Sequence, residues 1–100
     1  AHSNLCVCFM NRGDNEEALR HCDTAIQRDP QFAKAYTNMG AAYINLGQFD
    51  QALEKLQTSF RLDSFNEETL KFLSLAYLRS GDTARAYSIF EYAQRARSTQ

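Results

Sequence analysis

The chain has 100 residues, 44% of them hydrophobic, and a formal charge of −1 from 11 basic and 12 acidic side chains. That is the size of one domain, with enough apolar material for a core and too much for a disordered chain. The near-neutral balance argues against a partner held mainly by long-range electrostatics, nucleic acid first among them. No stretch is long and apolar enough to span a bilayer, so no membrane partner is expected. The opening residues Ala1-His2-Ser3-Asn4-Leu5-Cys6 have neither the charged start nor the apolar run of a signal peptide. Three cysteines, an odd number, argue against a disulfide framework and for a reducing, cytoplasmic setting.

One proline and four glycines favour helices over short strands. A first helix is predicted over about 1–12, ending before Gly13. Asp14 stands where an N-cap is wanted for a second, over about 15–28. Asp29-Pro30 puts the only proline at the start of a third, over about 31–46. Gly47 reverses the chain into a fourth, over about 49–62. Ser64 with Glu67 matches a capping box, with Asn66 as a competing cap, for a fifth over about 67–80. Gly81 and Asp82 introduce a sixth, over about 83–97.

Gly13, Gly47 and Gly81 are 34 residues apart and 34 again, and other columns keep the same step. Leu5, Met39 and Leu73 form one column; Phe9, Tyr43 and Tyr77 form an aromatic one; Ala18, Ala52 and Ala86 are identical. Cys22, Leu56 and Phe90 give a large apolar column, and Ala25, Ser59 and Ala93 a small one. Small residues let paired helices approach, while leucines and aromatics interlock between neighbours. A hairpin of two such helices cannot bury its apolar faces alone and does so by stacking.

The segment Ala35-Tyr36-Thr37-Asn38-Met39-Gly40-Ala41-Ala42-Tyr43, followed by Leu46-Gly47-Gln48-Phe49-Asp50-Gln51-Ala52-Leu53, resembles the tetratricopeptide repeat. The resemblance covers nearly the whole chain. It departs at His2, Tyr36 and Leu70, where the family often has tryptophan, and at Ser64 and Ser98, where it has proline. It implies an all-α fold: a right-handed solenoid of three antiparallel helix-turn-helix hairpins, at about 1–30, 31–64 and 65–98, in one domain cut from a longer protein. It also implies a concave groove lined by the first helix of each hairpin. Carried over column by column, the groove residues are Asn4, Asn38 and Phe72, then Val7, Ala41 and Leu75, then Asn11, Asn45 and Arg79. Ser3, Thr37 and Lys71 flank them, with Lys34 and Glu68 one turn earlier. An asparagine amide both donates and accepts, so Asn4 and Asn38 suit the backbone of an extended peptide. Phe72 and Leu75 beside Lys71 and Arg79 make the groove apolar and then basic towards the third hairpin.

The expected function is therefore that of a protein-interaction scaffold holding a partner's peptide or helix. Alternatives are self-association through an open end of the array or a role as a structural spacer within a larger assembly, and service as an accessory, substrate-recruiting domain of an enzyme, as similar arrays do in some glycosyltransferases. One subclass of the family grips the C-terminal carboxylate of chaperones. Its five groove positions correspond here to Ser3, Val7, Asn38, Glu68 and Phe72, of which only Asn38 matches.

No catalytic residue, cofactor or metal site is expected. Cys6 and Cys8 lie two apart and point about 200° apart on a helix, too far round to share an ion easily. Their columns, with that of Cys22, make all three core-filling hydrophobes. His21 and Cys22 are helix neighbours that diverge, so they form no nucleophilic dyad. Tyr87, Tyr92, Arg95 and Arg97 read as a solvated helix end, and Gln94 replaces the apolar Ile26 and Phe60 of its column, as suits the end of an array.

Overall fold

In a computed structural model the backbone of residues 2–98 and the side chains of residues 5–98 are described. The chain forms six helices: α1 (His2–Asn11), α2 (Asn15–Arg28), α3 (Ala33–Asn45), α4 (Phe49–Leu62), α5 (Glu67–Ser80) and α6 (Thr83–Ser98). No strand occurs among the described residues. Each bend within a hairpin sits on a left-handed glycine, Gly13, Gly47 or Gly81, with φ of 84°, 77° and 94°. That conformation is open to glycine without the clash a side chain brings.

The local signals sort by their hydrogen bonds. Asp82 caps α6, its carboxylate accepting from the Arg85 backbone N–H at 3.1 Å. That bond, and then the Arg85 guanidinium, hold its carboxyl below the usual carboxylate range. Asn66, rather than the Ser64–Glu67 box, caps α5 by accepting from Thr69 N–H; the Ser64 hydroxyl donates back to the Phe60 carbonyl instead. Asp14 makes no capping bond and pairs with Arg12 at 3.7 Å. Pro30 does not start α3. It lies in a turn in which Asp29 accepts from Gln31 N–H and Phe32 N–H reaches the Asp29 carbonyl, and the helix begins at Ala33. Asp63 accepts from Phe65 N–H in the same way, so both connections between hairpins are closed by an aspartate turn, 34 residues apart.

The stacking is that of a solenoid. Within each hairpin the two helices pack; between hairpins α2 meets α3 and α4 meets α5. The first helices also touch, α1 to α3 and α3 to α5, whereas among the described residues α2 does not touch α4, nor α4 α6. The first helices therefore crowd together on the inside of the curve. The core is divided accordingly. Cys6, Ala18, Cys22, Met39 and Ala42 are buried between the first two hairpins, and Ile44, Ala52, Leu56, Leu73 and Ala76 between the last two, with Tyr43 packed against both clusters. At the crossing of α3 and α4, Gly40 faces Leu56 so closely that a Cβ on Gly40 would run into its side chain.

Two features depart from the sequence reading. Cys6 and Cys22 are buried as expected, but bonded to each other as a disulfide, with Cα atoms 5.5 Å apart. Cys8 is an exposed free thiol rather than a core residue. Its counterparts Ala42 and Ala76 are covered because a preceding hairpin lies against α3 and α5, and among the described residues none lies against α1.

A buried hydroxyl triad joins three helices. Thr37 of α3 bonds Ser59 of α4 at 2.6 Å and Thr69 of α5 at 2.7 Å; Ser59 and Thr69 are 3.1 Å apart, and the Ser59 hydroxyl donates to the Ala33 carbonyl. Thr37 is thus part of the seam between hairpins, not a flank of the groove. Replacing Thr37 by valine keeps its shape and removes two buried hydrogen bonds, while Ser59 and Thr69 still bond each other and Ser59 still donates to the Ala33 carbonyl; the expected cost is about 1–3 kcal/mol in urea unfolding.

Candidate peptide-binding groove

The curvature that brings α1, α3 and α5 together makes their shared face the inner face of the stack. Asn4 lies outside the described side chains. Val7 is half-buried and Asn11 exposed on α1. Ala41 is buried at the middle of α3. Phe72 and Leu75 are half-buried, because both also pack on the cluster around Leu56 and Leu73. They are half-covered, not the open apolar patch expected from sequence.

Asn38 is the site's most informative residue. Only 4% of it is exposed, and its Nδ2 is a buried donor with no hydrogen-bond partner. Buried amides are nearly always satisfied, and leaving one unmade costs about 1–3 kcal/mol.

Around it stand exposed polar groups. Lys34 and Arg79 are exposed and form no ion pair among the described residues. Asn45 is exposed and donates to the Asn15 side chain at 3.2 Å, tying the end of α3 to α2. Lys71 is exposed and lines, with Glu68, a cleft between α5 and α6.

That cleft, of about 730 Å³, opens at the end of the stack and is lined by Phe65, Leu70, Ser74, Ile89, Phe90 and Ala93 among others. Phe65 is 58% and Phe90 44% exposed, whereas Leu56, the counterpart of Phe90, is fully covered by the third hairpin. Sequence reasoning placed Phe90 in the right column but did not anticipate this cleft. The signal was the Gln94 substitution, which marks an end face. Tyr92 is not solvated: it packs edge-on against Phe60 at 5.3 Å and donates to the Ser64 carbonyl, fastening α6 to the α4–α5 turn. His21 stacks on Phe9 with ring centroids 4.9 Å apart. No cluster of three metal-ligating side chains, and no helix long and apolar enough to cross a membrane, occurs among the described residues.

The tetratricopeptide repeat family model matches residues 9–66. Solved structures of similar fold include the second such domain of Spaghetti (RPAP3) bound to the HSP90 peptide SRMEEVD. It has a TM-score of 0.90 at 19% identity, over 95% of this chain and 88% of that one. A MamA crystal structure gives 0.91 at 20% identity, over 98% of this chain and 57% of that one. The MamA RS-1 ArsTM double mutant gives 0.92 at 20%, over 99% and 56%. The chain thus spans a little over half the length of these MamA chains. No curated protein matches it by sequence.

Proposed function

Because the chain belongs to the tetratricopeptide repeat family, whose helical stacks serve as protein-interaction modules, we propose that it binds a segment of a partner protein along the inner face of α1, α3 and α5, as a scaffold without catalytic chemistry. The observation that carries this reading is the buried, unpartnered Nδ2 of Asn38, a donor that a main-chain carbonyl of an extended segment satisfies once the side chain turns towards it. Val7, Phe72 and Leu75 supply apolar walls, and the unpaired Lys34 and Arg79 favour a segment carrying acidic residues beside its apolar ones.

The Spaghetti domain holds an HSP90 peptide, but a terminal-carboxylate clamp is not part of this proposal. Of the five positions set against that clamp, Glu68 is exposed on α5 and would repel a carboxylate, while Val7 and Phe72 are apolar.

The test uses peptides selected against the immobilised chain. Asn38→Ala is expected to weaken them about 5–10-fold, the worth of roughly one hydrogen bond. The same variant should keep its unfolding free energy within about 1 kcal/mol of wild type, since the amide it loses satisfies nothing in the fold. Unchanged peptide affinity in Asn38→Ala combined with Phe72→Ala, with helicity intact, would remove the groove from the account.

The cleft around Phe65 and Phe90 favours a second reading, association of two copies through the open end of the array. Sedimentation over a range of concentrations tests it. A mass that rises with concentration in wild type and not in Phe65→Ser/Phe90→Ser supports it; a monomer throughout sinks it.

A further inference from the structure

Cys6 and Cys22 occupy, in the first hairpin, the places that Gly40 and Leu56 hold in the second, each 34 residues earlier in the chain. In the second hairpin the leucine side chain fills the crossing against the bare glycine. A cysteine side chain is much smaller than a leucine's, so in the first hairpin a covalent bond does what bulk and close packing do in the second.

Among the described residues α1 packs on α2 and α3, with Phe9 and Met10 against the cluster around Cys22 and Met39 and the Phe9 ring stacked on His21. Leu5, one residue before the bridge, is 41% exposed where its counterparts Met39 and Leu73 are buried, so at this level of α1 the disulfide carries the contact that packing carries in the second hairpin.

We propose that Cys6–Cys22 is a thiol–disulfide switch that docks or releases α1, and with it the Val7–Asn11 end of the groove. On closure the two thiols give up two protons and two electrons and their sulfurs join. A low-molecular-weight disulfide such as oxidised glutathione takes them up, its S–S bond breaks, and it leaves as two thiols; opening is the reverse exchange. Both sulfurs are fully buried, so exchange passes through a local opening of the first hairpin. In a reducing compartment, such as the cytoplasm expected from the cysteine count, the pair rests as thiols and α1 is loose. In an oxidising one the third wall of the groove is in place. Control of the groove rests on the reading given under Proposed function; the docking of α1 does not.

The experiment is hydrogen–deuterium exchange on the 100-residue chain carrying Cys8→Ser, equilibrated in oxidised or reduced glutathione without any ligand. Denatured samples should show no reactive thiol in the first case and two in the second. Amides of α1 should exchange at least tenfold faster in the reduced chain, with α4, α5 and α6 unchanged. The double variant Cys6→Gly/Cys22→Leu, which installs the second hairpin's own pair, should exchange alike in both buffers. Equal α1 exchange with the pair open and closed, a loss spread uniformly over all helices, or thiols that stay reactive in oxidised glutathione would each overturn the switch. Because no ligand is present, a failure of the groove reading leaves these outcomes untouched.

Discussion

Replacing Leu56 by alanine is expected to destabilise the chain by about 3–4 kcal/mol, a large part of the roughly 5–15 kcal/mol that holds a domain of this size together. Leu56 is fully buried and fills the crossing of α3 and α4 against Gly40, while also packing in the cluster that joins the second hairpin to the third. One truncation therefore loosens both a hairpin and a seam between hairpins. The sharper form of the prediction is a change of sign at Gly40. In wild type, Gly40→Ala forces its Cβ into Leu56 and should cost about 1–3 kcal/mol through overpacking, less about 1 kcal/mol of helix propensity. In the Leu56→Ala background the same methyl enters vacated space and should stabilise by about 1 kcal/mol. Urea unfolding of the four chains in this cycle reads the coupling directly. Additive effects would show that the two residues do not face each other.

Reducing the Cys6–Cys22 bond should lower the unfolding free energy by about 3 kcal/mol, the loop-closure entropy of a cross-link spanning a separation of 16 residues. For a chain of this length that corresponds to a fall of roughly 12–24 °C in the midpoint of thermal unfolding. The effect should be specific to the pair. Cys6→Ala/Cys22→Ala should melt low with or without reductant, and Cys8→Ser should behave as wild type in both. The loss should also be local at first, with far-ultraviolet signal from the first hairpin disappearing before that of the other two, since stability in a repeat stack is summed unit by unit. A midpoint indifferent to reductant would mean that the sulfurs are not joined in solution.

The repeat made much of this structure legible in advance. Three glycines in step located the three left-handed bends, and the alanine column Ala18, Ala52 and Ala86 is fully buried at every turn of the array. Helix limits agreed within about two residues; α3 starts at Ala33 rather than 31 because the propensity of Pro30 for a helix start lost to an aspartate turn that also recurs at Asp63. The disulfide was written in the same columns. Cys6 stands with Gly40 and Cys22 with Leu56, two columns that meet face to face, and that geometric signal outweighs the odd number of cysteines that argued against any bridge.

Other features lie between columns and could not be read from them. Thr37, Ser59 and Thr69 come from three different columns, and their counterparts Lys71, Ala25 and Ala35 make no such cluster, so no period announces the triad. Column averages also fail at the open faces of the stack, where Cys8 is exposed and Phe90 borders a cleft although their counterparts are covered. In the groove, the residue types came from the repeat, but depth did not. Asn38 is sunk to near-complete burial, and Lys71 lines the end cleft.

The central claim, that the inner face of the first helices receives the partner, is tested most directly by amide chemical-shift mapping of the chain with a peptide selected on it. The account predicts perturbations at Asn38, Ala41, Asn45, Leu75 and Arg79, with α2 and α4 silent. Perturbations confined to Phe65, Lys71, Phe90 and Ala93, or to the outer helices, would contradict it.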